Sequence, residues 1–167
     1  MALSTYSPKD VTITLAGIHA VTGYADGTFV SIKKDIKPFA KVRAMDGEIA
    51  RQYFDDAGYK VTLTLMQSSP TNNVLSMLYN IDTVTHMGKI PLFIKDGRGQ
   101  TNFLAGTAWI EEIPEVTFGA ELDTRTWVFG CSDVAMTIGG NSDTSEIEDL
   151  LLLGSSTLPL LQNYGVF

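Results

Sequence analysis

Apolar and polar residues alternate in short runs along most of this chain, and turn residues separate the runs. The clearest run covers residues 59–67, where Val61, Leu63 and Leu65 alternate with lysine and threonine. Successive side chains of a β-strand point to opposite faces, so this pattern predicts a strand with one buried face and one exposed face. Strands are predicted in the same way over residues 11–15, 28–34, 39–44, 89–95, 101–113, 116–122 and 124–138.

One segment has the spacing of a helix instead. Ser69 and Pro70 form a helix start, and apolar residues recur at helical intervals from Val74 to Tyr79, which predicts a helix ending near residue 82. The predicted fold class is therefore mainly β, a β-sandwich or partly open barrel with one packed α-helix. A short C-terminal helix or arm completes it. We expect one domain over residues 1–167, with a projecting loop or hairpin at 45–58 and a C-terminal arm at 141–167.

Charge and hydropathy narrow the class of protein. Nineteen acidic and twelve basic residues give a formal net charge of −7, which opposes tight binding to a nucleic acid backbone. The first residues lack the pattern of a secretion signal, and no apolar run is long enough to cross a bilayer. These features predict a protein that is made and kept in the cytosol and does not contact a membrane.

Residue patterns for catalysis or metal binding are missing from the sequence. His19 and His86 have no second histidine or cysteine at ligand spacing, and the single cysteine, Cys131, lies in an apolar run typical of a buried thiol. Glu111 and Glu112 are adjacent on a predicted strand and therefore face opposite sides of it. We expect no catalytic residue, no metal site and no cofactor.

Several segments, in this order along the chain, resemble the tail tube proteins of contractile phages, which are related to the tubes of type VI secretion systems and pyocins. They are an early strand ending at Gly17, then GYKVTLTLMQSSPTNNVLSML (58–78), KIPLFIKDGRGQTNF (89–103) and AWIEEIPEVTFGAELDTRTWVFGC (108–131). The most telling part is the order of strand, capped helix and hairpin, followed by Trp-x-Glu and Pro-Glu-Val. The resemblance covers residues 10–140 approximately.

This resemblance implies homohexameric rings that stack into the inner tail tube, with DNA passing through the lumen without specific binding. It also implies the tail sheath, the baseplate and the tail terminator as partners, and a location in the virion tail after assembly in the host cytoplasm. Acidic groups facing the lumen would repel the DNA. The residues of the loop at 45–58 that we expect to contact the next ring are Asp46, Glu48, Ile49, Arg51, Tyr53, Phe54 and Asp55. The residues of the C-terminal arm that we expect to contact another subunit are Leu150, Leu151, Leu160, Tyr164 and Phe167.

Other functions remain open from the sequence. A tube initiator, a baseplate protein or the tube of a secretion machine would share these structural patterns. A β-sandwich module that binds carbohydrate is a more remote alternative, and it would need exposed aromatic side chains such as Trp109 or Trp127.

Overall fold

Strands dominate the computed structural model, which describes residues 6–140. Within this range a short 3₁₀ turn (Pro8–Asp10) precedes nine strands and one α-helix. The strands are β1 (Val11–Leu15), β2 (His19–Ala20), β3 (Val30–Lys34), β4 (Phe39–Arg43), β5 (Ile49–Tyr53), β6 (Tyr59–Met66), β7 (Ile90–Asp96), β8 (Asn102–Glu112) and β9 (Thr124–Thr137). The helix α1 (Thr71–Thr85) lies between β6 and β7. The predicted class, mainly β with one helix, is confirmed.

Seven of the strands form one antiparallel sheet in the order β2-β1-β7-β8-β9-β6-β3. The two longest strands, β8 and β9, lie at its centre, where each has a neighbour on both sides. Within the described residues β2 and β3 are the two ends of this order and do not pair with each other, so the sheet is open. The strands β4 and β5 form a separate antiparallel hairpin.

The core lies on the face of the sheet that carries the buried apolar residues of the alternating pattern. Phe103 of β8 and Phe129 of β9 are completely buried, and Leu63 of β6 and Leu92 of β7 are almost completely buried. Tyr59 of β6 contacts Phe103 edge-on across the intervening β9, with ring centroids 5.9 Å apart. The two rings therefore pack over β9 on the apolar face of the sheet.

The helix closes one side of this core. Leu75 is fully buried, and the indole N–H of Trp127 donates to Asn72 Oδ1 at 3.0 Å. Ser69 accepts a hydrogen bond from the backbone N–H of Thr71, as expected of a residue that precedes a helix. The helix continues three residues beyond the predicted end and stops at His86, which adopts the left-handed conformation with φ 57°.

Two predicted segments differ from the structure. Residues 116–122 contain no strand, although Val116, Phe118 and Leu122 follow the alternating pattern, so that prediction was wrong. A strand needs a partner, and the adjoining β8 and β9 already pair with each other and with β7 and β6. Residues 45–58, interpreted as a projecting loop or hairpin, contain β5 and the turn that joins it to β4. The predicted C-terminal helix and arm lie outside the described residues.

Candidate assembly surfaces

The hairpin formed by β4 and β5 is built by a regular antiparallel register. Phe39 lies opposite Tyr53, Lys41 opposite Arg51, and Arg43 opposite Ile49. At the turn, the N–H of Ala44 donates to the carbonyl of Glu48 at 2.9 Å, and Gly47 has φ 91°. This left-handed backbone conformation suits glycine, which has no Cβ.

Hydrogen bonds at its base attach the hairpin to the sheet. The N–H of Phe54 donates to the carbonyl of Pro38 at 2.7 Å, and the N–H of Asp35 donates to the carbonyl of Gly58 at 3.1 Å. The ammonium group of Lys34 donates to the carbonyl of Asp56 at 2.7 Å and lies 4.7 Å from the ring centroid of Tyr59. The base is therefore fixed where β3 ends and β6 begins.

Beyond this base the hairpin is exposed on both faces. All five residues of β5 are exposed, including Ile49 at 57% and Tyr53 at 61%, and Phe54 after the strand is 42% exposed. A two-stranded hairpin in water is only marginally stable by itself. Large apolar side chains on such an element are typical of a surface that another molecule covers.

The edges of the seven-stranded sheet are a second candidate surface. β3 pairs through one side with β6, and its other side has no strand partner among the described residues. At the opposite edge, β2 is only two residues long and pairs with Thr14 and Leu15 of β1. Unpaired strand edges present free N–H and C=O groups that can pair with another chain.

The connection between β8 and β9 is a third surface. Its residues 113–123 have no regular secondary structure and expose four apolar side chains, Ile113, Val116, Phe118 and Leu122. A groove of about 500 Å³ separates this segment from α1, and Tyr79, Phe118 and Trp127 are among the side chains that line it.

Buried Arg125 holds this connection in place. Its guanidinium donates to the carbonyl of Thr117 at 3.1 Å and to the carbonyl of Thr124 at 3.2 Å. The Thr117 hydroxyl in turn donates to the Asp123 carboxylate. This hydrogen bond, then one from the Thr124 N–H, and the charge of Arg125 lower the pKa of Asp123. These contacts give the segment a defined conformation without strand pairing.

The outward side of α1 carries an apolar stripe. Val74, Met77, Ile81 and Val84 are all exposed, while Leu75 on the opposite side is fully buried. The helix therefore has one face in the core and a second apolar face that the described residues leave uncovered. No helix in the described range is long and apolar enough to cross a membrane.

Groups with chemical reactivity are few in the described range. Burial raises the pKa of the Cys131 thiol to about 12, and Glu111 and Asp35 add to the shift through their charge. The predicted buried cysteine is confirmed. Residues 6–140 contain no group of three or more histidine, cysteine, aspartate or glutamate side chains that could hold a metal ion.

Comparison with known proteins identifies the family. A profile described as Bacteriophage PhiTE tail tube protein matches residues 3–139 of this chain. The chain belongs to this family of phage tail tube proteins. It is accordingly a structural protein of a phage tail, and the predicted resemblance and location in the virion are confirmed.

A curated relative and two solved structures agree with this family. Structural protein ORF10 of Pseudomonas phage KPP10 is 30% identical over 149 residues, which cover 85% of this chain and 86% of the relative. The anti-feeding prophage cap, which terminates a tube, matches with a TM-score of 0.56 at 14% identity, over 82% of this chain and 94% of the cap. A chain of the PVC sheath-tube complex, an extracellular contractile injection system, matches with a TM-score of 0.54 at 14% identity, over 80% of this chain and 91% of that chain. At such identities the two structures establish a shared fold.

The residues that the sequence singled out for ring stacking lie together on the hairpin. Asp46 and Glu48 are in the turn, Ile49, Arg51 and Tyr53 are on β5, and Phe54 and Asp55 follow that strand. All seven are exposed. The five residues predicted in the C-terminal arm, from Leu150 to Phe167, lie outside the described range.

Sequence reasoning missed the other half of the hairpin surface. Phe39, Lys41 and Arg43 share a face with Tyr53, Arg51 and Ile49, because residues directly opposite in a register point the same way. The alternation of Phe39, Lys41 and Arg43 was visible in the sequence. Their pairing with β5 was not, since both faces of the hairpin are exposed and leave no buried pattern.

Proposed function

We propose that this tail tube protein assembles into homohexameric rings that stack end to end, so that phage DNA passes through their lumen. The observation that carries the proposal is the open sheet. Both of its edges lack a full strand partner among the described residues, and joining identical subunits side by side would satisfy them. A closed ring removes every edge, whereas a monomer leaves two.

The exposed hairpin supports stacking as the second step. Once the sheet edges are used within a ring, the hairpin is free to contact the next ring. Tyr53, Phe54 and Arg51 belong to the residue types that are enriched in protein interfaces. We also propose that the C-terminal arm, through Leu150, Leu151, Leu160, Tyr164 and Phe167, contacts a neighbouring subunit.

Partners outside the tube follow from the surface that remains. We assign the exposed stripe of α1 to the tail sheath, because this surface is not needed for closing the ring or for stacking on the hairpin. The similarity to a chain of a sheath-tube complex and to a tube-terminating cap supports a sheath and a terminator as partners. A baseplate would begin the tube. We expect the DNA to pass without specific binding, since the net charge of −7 opposes tight contact with phosphates.

A cap or terminator is the second candidate function. The anti-feeding prophage cap has this fold with a TM-score of 0.56, close to the value for the sheath-tube chain, so the fold fits both roles. A tube protein polymerises without limit, whereas a cap stops after one ring. The carbohydrate-binding alternative gains no support from Trp127, which is buried and donates its indole N–H to Asn72.

Negative-stain microscopy of the purified chain at increasing concentration tests the proposal. We expect rings with a central hole and tubes of increasing length. Replacing Tyr53 and Phe54 together with serine should abolish the tubes but leave folded subunits, as measured by circular dichroism. A wild-type chain that stays monomeric at every concentration would refute the assembly, and wild-type rings that never elongate would favour the cap.

A further inference from the structure

The two strands of the hairpin carry basic charge only. Their ten residues contain Lys41, Arg43 and Arg51 and no carboxylate, because the acidic residues of this region lie in the turn and at the base. The register places all three cations on one face together with Phe39, Ile49 and Tyr53. The Arg51 guanidinium lies 4.5 Å from the ring centroid of Phe39, whose own centroid is 5.2 Å from that of Tyr53. We call this face the basic face of the hairpin.

These cations have no ionic partner in their own subunit as far as residues 6–140 show. The ion pair found in that range joins Arg98 to Asp10, away from the hairpin. Three positive charges close together repel one another, and the turn carboxylates, Asp46 and Glu48, form no ion pair with them in the described residues. The basic face is therefore complementary to an acidic surface that also exposes apolar side chains.

Such a surface exists elsewhere on the same chain. Residues 111–123 contain five carboxylates and no lysine or arginine, and they expose the four apolar side chains described above. We call residues 111–123 the acidic segment. The nearest arginine in the sequence, Arg125, is buried and donates to the backbone carbonyls of Thr117 and Thr124, so its guanidinium is already occupied. The five carboxylates are Glu111, Glu112, Glu115, Glu121 and Asp123.

The strand β6 separates the two surfaces. The hairpin enters β6 at Tyr59, whereas Met66 at the other end pairs with Thr124, directly after the acidic segment. Eight residues of strand span roughly 23 Å at about 3.3 Å per step. The basic face and residues 113–123 of the acidic segment thus lie toward opposite ends of one subunit. Glu112 pairs with Val128, level with the middle of β6, and Glu111 lies against Gly130, nearer the hairpin.

From this placement we infer that the basic face of the hairpin docks on the acidic segment of a second copy of this chain in the adjacent ring. The inference rests on the proposed stacking and names its partner surface. Two different, complementary surfaces at opposite ends of a subunit form a head-to-tail contact, and such a contact propagates along an axis. Affinity would come from burying apolar side chains of both surfaces, Phe39 and Tyr53 on the hairpin and Val116 and Phe118 on the segment. The charges would select the partner and fix its position on the surface. An exposed ion pair contributes only about 0–1 kcal/mol, so several pairs per subunit are needed.

Charge reversal on each side separately, and then on both, tests this pairing. The hairpin variant is Lys41→Glu, Arg43→Glu and Arg51→Glu. The segment variant is Glu112→Lys, Glu115→Lys and Glu121→Lys, which leaves Asp123 and its hydrogen bonds unchanged. We expect the mean tube length, measured by negative-stain microscopy, to fall at least tenfold in each triple variant. The combined six-fold variant should recover the wild-type tube length.

Controls separate pairing from folding and from net charge. The thermal unfolding midpoint of each variant should match that of the wild type, since the changed side chains are exposed. Lys9→Glu, Lys89→Glu and Lys95→Glu alter the net charge as much as the hairpin variant and should leave stacking intact. Wild-type tubes should also shorten in 1 M salt, where charges are screened within about 3 Å.

Two results would overturn the inference while leaving the proposed function in place. One is a hairpin variant that forms tubes as long as the wild type. The other is a folded six-fold variant that stays as short as the two triple variants. A wild-type chain that forms neither rings nor tubes would instead overturn the proposed function, and this inference with it.

Discussion

Two aromatic pairs with comparable distances between their rings lie in opposite environments. Tyr59 and Phe103 meet in the core with ring centroids 5.9 Å apart, and Phe103 is 0% exposed. Phe39 and Tyr53 meet on the hairpin at 5.2 Å, yet Phe39 is 49% exposed. The same kind of contact thus stabilises the subunit in one place and, in the other, leaves apolar area available for a second subunit. The core and the exposed surfaces should respond very differently to mutation.

The largest expected difference comes from truncating one ring of each pair. Phe103→Ala removes a fully buried side chain from the centre of the sheet and should lower the free energy of unfolding by about 3–5 kcal/mol. Phe39→Ala should change it by less than about 0.5 kcal/mol, because the ring is half exposed and belongs to a hairpin outside the core. Urea unfolding of dilute, unassembled protein measures both values.

The effects of the two variants on tube formation should have the reverse order, with Phe39→Ala impairing tubes more than Phe103→Ala. Phe39→Ala should impair tube formation without loss of folded subunits, because it removes an apolar group from the proposed stacking surface. Equal unfolding free energies for the two variants would mean that the hairpin belongs to the subunit core, and the comparison would fail.

A matched pair of glycines sharpens the comparison at the level of the backbone. Gly23 and Gly47 both have positive φ, 74° and 91°, so alanine is strained at either position. A Cβ on Gly23 would lie 2.6 Å from the Cβ of Ser69, whereas a Cβ on Gly47 would meet no atom within 4 Å. We expect Gly23→Ala to cost about 2–4 kcal/mol and Gly47→Ala about 1–2 kcal/mol.

Thermal unfolding of the two alanine variants at equal, low concentration gives this comparison directly. Ser69 precedes α1 and also donates to the carbonyl of Thr22, so displacement at Gly23 would disturb the start of the helix. If Gly47→Ala were the more damaging change in the dissociated subunit, the hairpin turn would be part of the stable core.

The sequence predicts the core elements well because their signal is local. In β6, buried Val61, Leu63 and Leu65 alternate with less buried residues, and the pattern in the sequence already shows it. The spacing of Leu75 and Leu78 likewise predicts the helix. Burial of one face imposes these patterns, so they can be recognised without knowing the partner elements.

The surfaces depend on information that the local pattern lacks. The pairing of β4 with β5 leaves both faces exposed, so the hairpin register has no apolar pattern to reveal it. Residues 116–122 do alternate, yet Arg125 binds the carbonyl of Thr117, and the adjoining strands β8 and β9 already pair on both sides. The position of the five carboxylates relative to the hairpin follows only from the sheet topology.

The smallest expected effect concerns the acidic segment, where Asp123 is exposed to solvent. Hydrogen bonds from the Thr117 hydroxyl and the Thr124 N–H, with the charge of Arg125, hold the pKa of Asp123 below its ordinary value. A lowered pKa in the folded state means that ionised Asp123 stabilises the fold above pH 4 approximately, and that this contribution disappears as the pH falls through the lower folded pKa.

Asp123→Asn should therefore lower the unfolding midpoint by a small, constant amount at neutral pH, with the difference from wild type vanishing in acid. Thr117→Val removes the first hydrogen-bond donor and should reduce the pH dependence of that difference. A difference between wild type and Asp123→Asn that grew as the pH fell would contradict the lowered pKa, and would imply that the carboxylate destabilises the acidic segment in the free subunit.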